Sequence, residues 1–368
     1  MAPRKYFLDW LRVLAFGALI LFHVGMLYVT WTYNIKSPRL VPAIEPAMNA
    51  LGAFRLALLF FVSGVASRFL IGRLGPRLFA RDRLRRLLPV ILFGMAVVIP
   101  PQTYVELVSK GVTSQDYLSF WWTQYLAADQ TLVRPLHKTM PTWDHLWFIV
   151  YLFFYTLLFA LVFALTHWRS TGAARRWQLP LPVLLLGPAL LLAAANLLIV
   201  TRFPMTEALV NDWGAHLKWF GMFWIGVVCA RDDRFWDWAR RHRARLALAA
   251  LVLVTVQTLI HTYENPWYQI VYGFYAWAAI CALVGYAAQY LNKPSALLTH
   301  LNEAVLPVYV LHQPILLIAA YFIFPLHWPL AAEALTLAAI TGFGSLAIYE
   351  LLIRPFRIPR ILFGLKPA

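Results

Sequence analysis

The sequence predicts an all-α polytopic membrane protein with about ten transmembrane helices and with its N- and C-termini in the cytoplasm. Three observations carry that prediction. Of the 368 residues, 61% are hydrophobic and only 13% are charged, whereas a soluble domain has ~25% charged residues. The apolar residues fall into about ten runs, each near the ~20 residues a helix needs to cross a bilayer. The Lys and Arg residues, which give a net charge of +16, gather in alternate connections between those runs, as the positive bias of cytoplasmic loops requires. So basic a balance would point a soluble protein toward nucleic acid. Held in short loops, it orients the chain instead, and no nucleic-acid partner is expected.

The runs lie near residues 11–32, 47–71, 87–108, 145–167, 179–200, 214–230, 246–262, 267–290, 305–326 and 330–353. MAPRK followed by an apolar stretch is the pattern of a secretory leader. The stretch reaches Thr30, however, past the ~7–15 residues of a leader core, and no small-x-small cleavage site follows, so it reads as a retained first span. The basic side then receives Arg4 and Lys5, GRLGPRLFARDRLRR (72–86), Arg169, Arg175 and Arg176, RDDRFWDWARRHRAR (231–245), Lys293, and the tail with Arg354, Arg357, Arg360 and Lys366. That is about 22 cations against about six in the alternate loops, and a wrong span count would scramble the contrast. The longest loop on the other side, 109–144, holds Trp121, Trp122, Tyr125 and Trp143. These read either as an interfacial aromatic belt or as stacking platforms for a sugar ring. Cys229 and Cys281 sit inside apolar runs and read as core residues, with no disulfide framework or thiolate metal site. With no strand-rich domain, repeat or low-complexity run, residues 1–368 read as a single integral-membrane domain.

Ionisable residues inside spans are costly and mark functional sites. Arg12 and His23 are eleven positions apart, within about 20° of three full helical turns, so they share one helix face about 16 Å apart. Arg12 then lies at the cytoplasmic edge and His23 near mid-membrane, with Asp9 in reach of Arg12 for an ion pair. Arg12 reads either as a snorkelling anchor or as part of a site. His23 reads either as an imidazole satisfied by a neighbouring helix or as a proton acceptor whose ordinary pKa of ~6.5 suits that task. Arg55, about a third of the way into the second span, needs a carboxylate, carbonyls or a polar cavity. Ser63 and Gly64, further along, permit close helix approach. Arg83 and Arg86, one turn apart before the third span, suit phosphate groups, which guanidinium pairs bind bidentately; they read equally as topological charge. His145 in DHLWF, His312 in VYVLHQP and Glu350 near the cytoplasmic end of the last run are further candidates. His216 and His261, near the outer surface, are weaker ones. No histidine and carboxylate spacing of the HExxH kind occurs, so no metal is assigned.

Taken together, the Arg12/His23 spacing, the Arg-x-x-Arg of Arg83 and Arg86, FFVSG (60–64), HLWF (145–148) and LHQP (311–314) resemble the acyltransferase-3 family of membrane acyltransferases. YFLDWLRVLAFG, Phe54-Arg55 ahead of FFVSG, and the ending IYELLIRP…LFGLKP resemble more narrowly its glucan-biosynthesis protein C branch, which is implicated in succinylating periplasmic glucans. The resemblance covers nearly the whole chain. It implies an enzyme that takes an acyl group from a cytoplasmic acyl-CoA, succinyl-CoA for that branch, and delivers it to a carbohydrate hydroxyl outside, with no bound cofactor. His23 then stands for the family's essential histidine and Arg12 for its arginine partner, while Arg83 and Arg86 contact the donor phosphates. Arg55, His145, His312 and Glu350 match recurring positions, as contacts for the acyl group or the acceptor. The location implied is a bacterial inner membrane, and the partners are periplasmic glucan or another envelope carbohydrate, membrane lipid and glucan-synthesis proteins. Relatives often carry an extra periplasmic esterase-like domain. This sequence ends soon after its last span and is expected to act alone or with a separate partner.

Two rivals use the same residues. An O-acetyltransferase of another envelope polysaccharide shares the chemistry. A secondary transporter would use buried Arg and His for substrate binding or proton coupling, but no inverted repeat or matched pair of interrupted helices is found. A non-catalytic scaffold would leave the aligned Arg12 and His23 without a purpose.

Overall fold

The computed structural model describes residues 4–129, 139–166, 179–260 and 262–367. Among these there is no strand, as expected where every backbone polar group in hydrocarbon must be satisfied within its own segment. The chain runs through helices α1 (Tyr6–Met26), α2 (Pro42–Leu74), α3 (Pro76–Ser109), α4 (117–125), α5 (Asp144–Leu165), α6 (Leu181–Thr201), α7 (213–229), α8 (Asp233–Ile260), α9 (Pro266–Tyr290), α10 (Ala296–Leu326), α11 (Leu330–Ile353) and the short α12 (Arg357–Leu362). Among the described residues, nine are long and apolar enough to span a membrane: all of these except α4, α7 and α12. The chain is therefore a multi-pass membrane protein. The run near 214–230, expected as a tenth span, forms α7, which is not among the nine helices long enough to cross. It is shorter than the other nine because Asp212 and the Arg231–Asp233 turn bound it. Arg169, Arg175, Arg176 and His261 lie outside the described residues.

Local chemistry sets several boundaries. Gly75, at φ 78°, makes the left-handed turn that ends α2 and admits Pro76 at the start of α3. Pro100 and Pro101 have no N–H to give the turn before them. There α3 widens to a π turn over Gly94–Val98, and the Ile99 amide bonds the Gly94 carbonyl at 2.9 Å. Asn265 caps α9, its side chain accepting from the Trp267 amide at 2.9 Å.

The residues group into two compact units. The first holds residues through Ala15, Pro46–Arg83 and Tyr151–Asn302; the second holds Phe16–Glu45, Leu84–Val150 and Glu303 onward. In the first unit, α2 and α7 approach closely at two glycines. A methyl on Gly64 would collide with the Phe223 carbonyl, and one on Gly226 with the Phe61 carbonyl. The small-residue reading of Ser63-Gly64 thus holds, and Gly226 supplies the reciprocal half. Phe61, Phe235, Trp236 and Trp277 pack beside this crossing at centroid distances of 5.0–6.0 Å. Lys5 ion-pairs Asp233 at 3.0 Å, and Arg231 reaches Gly72. Three segments expected on one side of the membrane therefore meet at one end of this unit.

In the second unit, Val24, Leu27, Leu316, Leu317, Ala320 and Leu337 form a buried core joining α1, α10 and α11. The loop after α1 is fastened to it by the fully buried Glu333. That carboxylate accepts from Tyr28 Oη at 3.0 Å and from Arg39 at 2.8 Å. Burial first, and the neighbouring Glu333 second, hold the Tyr28 phenol above its ordinary pKa. Trp121 Nε1 donates to the Ala96 carbonyl at 2.8 Å, Tyr125 is fully buried, and Trp122 is exposed. Of the four aromatics in that loop, Tyr125 is therefore core. It belongs to neither the belt nor the platform reading.

Candidate active site

α1 is unbroken from Tyr6 to Met26, so Arg12 and His23 keep the eleven-residue helical spacing read from the sequence. Arg12, at the N-terminal end of the helix, donates to Asn302 Oδ1 at 3.2 Å. The expected Asp9–Arg12 contact gives way to another pair: Asp9 binds Arg4 at 2.8 Å. Arg4 is exposed before the helix begins and can reach back to Asp9, whereas Arg12 is turned toward α10.

His23 lies in the second unit against α10. Its Nδ1 stands 2.7 Å from His312 Nε2, and the two rings lie nearly parallel, edge to edge, with centroids 4.9 Å apart and 9° between planes. His312 is completely buried, and its Nδ1 faces the Tyr309 carbonyl. A carbonyl oxygen only accepts, so His312 carries its proton on Nδ1 and presents a lone pair at Nε2. The proton in the 2.7 Å contact therefore belongs to His23 Nδ1. Neutral His23 is then the tautomer with its lone pair on Nε2. This chain of bonds, carbonyl to imidazole to imidazole, orients a base as a carboxylate does in a hydrolase triad.

His145 completes the group. Its ring meets that of His312 at 5.5 Å and nearly perpendicular, and that of Tyr309 at 6.0 Å. His145 Nε2 donates to the Val310 carbonyl at 3.0 Å, and Tyr309 Oη donates to the carbonyl of His145. Its Nδ1 is buried without a hydrogen-bond partner among the described residues. Sequence spacing could not bring His23, His145 and His312 together, because they come from α1, α5 and α10. Among the described residues no group of His, Cys, Asp or Glu could hold a metal ion.

The other candidates have other surroundings. Arg55 is buried in the first unit. Arg83 pairs with Asp82 at 2.5 Å and lies over the Phe79 ring at 5.3 Å. Arg86 Nε donates to the Gly364 carbonyl at 3.1 Å. Glu350 pairs with Arg354 at 2.7 Å, one helical turn on. His216 Nδ1 meets Tyr155 Oη at 2.8 Å, and its Nε2 meets the Leu209 carbonyl, which makes it a fastening for the loop before α7.

Sequence reading missed the polar chain beside the histidines. Gln313, next to His312, donates to Asp144 at 3.2 Å and to Asn34 at 3.5 Å, and Asn34 donates to the buried Glu106 at 2.6 Å. Glu106, inside the third apolar run, carried a legible signal: a carboxylate in a span. Lys218, buried inside α7, carried the same signal and was also missed.

No match is found among curated proteins or among solved structures. The acyltransferase-3 family, described as an acyltransferase domain, matches residues 5–350, a span that takes in Arg12, His23, His145, His312 and Glu350. With nearly all of the chain inside that match, the protein belongs to the acyltransferase-3 family and is a membrane acyltransferase.

Proposed function

We propose that this acyltransferase moves an acyl group, succinyl in the first instance, from a cytoplasmic acyl-CoA to hydroxyls of a periplasmic glucan, working in a bacterial inner membrane. The observation that carries the reading is the tautomer of His23, whose Nε2 lone pair is fixed by the bonds through His312 to the Tyr309 carbonyl. As a general base, His23 Nε2 takes the proton of the acceptor hydroxyl. The oxygen then bonds to the thioester carbonyl carbon, the carbon–sulfur bond breaks, and the thiolate leaves and takes up a proton. As a nucleophile, the same lone pair accepts the acyl group first and passes it to the hydroxyl in a second step. In both routes the charge that develops on His23 is shared with His312.

The choice of succinyl and glucan rests on the resemblance of the sequence ends. Mass spectrometry of periplasmic glucan from cells with and without the protein tests it. Succinyl substituents are expected only when the protein is present. Identical substitution in both removes the glucan reading and turns attention to acetyl groups on other envelope polysaccharides.

A further inference from the structure

The two arginines that the sequence offered for phosphate are engaged within the protein, Arg83 by Asp82 and Arg86 by the Gly364 carbonyl. A different pair converges in the first unit. A methyl placed on Gly72 would stand 2.8 Å from Arg231 Nη2 and 3.5 Å from Arg68 Nη1. Two guanidinium groups therefore reach the same bare stretch of backbone. Arg68 is 4% exposed, with its guanidinium 5.4 Å from the centroid of the Phe163 ring, which fixes its plane. Arg231 is exposed, and no hydrogen bond or ion pair holds its guanidinium among the described residues. The carboxylates that follow it in sequence are taken by other cations: Asp232 by Arg234 at 2.6 Å and Asp233 by Lys5 at 3.0 Å. Two like charges a few ångströms apart, one of them buried, repel each other. A multiply charged anion between them reverses the sign of that interaction.

The geometry points to a phosphate-binding cradle formed by Arg68 and Arg231 over Gly72. Guanidinium forks match phosphate oxygens in pairs, and the missing side chain at Gly72 lets the Arg231 guanidinium lie against the backbone on the side that Arg68 also reaches. The segments that build it, the end of α2 and the turn after α7, belong to the basic side expected to face the cytoplasm. The phosphate comes from the acyl donor or from a phospholipid headgroup. Naming the donor rests on the acyl-CoA reading above, whereas the cradle itself does not.

Calorimetric titration of free coenzyme A into the purified full-length protein in detergent tests the site. Arg231→Ala is expected to weaken binding about tenfold, equivalent to about 1.4 kcal/mol. Gly72→Val, which fills the space without altering charge, is expected to weaken it as well. Arg240→Ala, which removes a charge paired with Asp237 on the same helix, should leave it unchanged. In nanodiscs, retention of phosphatidylglycerol over phosphatidylcholine is measured on the same variants. Loss of lipid retention with coenzyme A affinity intact assigns the cradle to a headgroup. If Arg231→Ala leaves both probes bound as in the parent protein, or the parent binds neither, the cradle is refuted. Failure of glucan acylation with an Arg231-sensitive coenzyme A affinity would instead overturn the proposed acceptor and leave the cradle standing.

Discussion

The two units bury ionisable side chains in different company. In the second, each imidazole of the histidine group faces a carbonyl or another imidazole, so the position of every ring proton is assigned. In the first, two buried cations face rings: Lys218 Nζ lies 4.6 Å from the Trp219 centroid and 5.4 Å from that of Tyr272, and Arg68 lies over Phe163. Ring faces favour a positive charge without offering a proton acceptor. One arrangement is thus suited to moving protons and the other to holding anions. The residues in α1, α5 and α10 are the place to look for chemistry, and those in α2 and α7 for charge recognition.

The largest effect expected of this contrast is at His23. His23→Ala should lower acyl transfer by about 10²–10⁴-fold, the range that positioned general acid–base groups supply, while the protein still folds and inserts. Turnover of the purified variant, with its melting profile as the folding control, checks this. Normal turnover would place the chemistry outside the histidine group. A smaller loss, about tenfold to a hundredfold, is expected for His312→Ala, which keeps the base but frees its tautomer. The rate-against-pH profile should also move, because His23 loses the imidazole that accepts its proton. A lower rate with an unmoved profile would make His312 a packing residue.

Legibility from the sequence follows the same division. The all-helical, multi-pass architecture was readable because apolar run length and loop charge are local properties, and both survive in the helices. Each of His23, His145 and His312 was readable as a residue out of place in a bilayer or as part of a family motif. Their convergence was not, since it depends on how α1, α5 and α10 pack over sequence separations near 165 and 289 residues. Asp9 was misassigned for a related reason: helix spacing put Arg12 in reach, but an arginine outside the helix competed for the same carboxylate. Glu106 and Lys218 were each legible as a charge inside an apolar run, whereas the Asn34 that donates to one and the Tyr272 ring beside the other come from distant parts of the chain.

A third test concerns stability rather than rate. Arg39→Ala should lower the thermal midpoint, because it leaves the fully buried Glu333 carboxylate with hydroxyl donors from Tyr28 and Ser37 but no cation. Removing one member of a wholly buried pair costs about 3–5 kcal/mol. Arg39 is 42% exposed at the side chain, so water screens part of the charge and the expected cost is about 1–2 kcal/mol. Arg39→Lys should restore part of it. An unchanged midpoint for Arg39→Ala would mean that the loop after α1 is held by packing alone.

The smallest effect lies at the turn after α7. The hydrogen bonds from the Arg234 side chain, with the Arg234 charge and local amides adding to them, hold the Asp232 carboxyl below its ordinary pKa against a modest burial cost. A carboxylate depressed in the folded state binds fewer protons there than when unfolded. Its stabilisation is therefore present above the ordinary carboxylate range and lost as pH falls through the lower, folded-state value. Arg234 is about half exposed at its side chain, so water screens the pair and its contribution is small. Arg234→Ala should lower the thermal midpoint slightly at neutral pH and not at all once acid has protonated Asp232 in the parent protein. The same variant also frees a carboxylate beside Arg231. Coenzyme A affinity should fall with it, because Asp232 then competes for the guanidinium that faces Gly72.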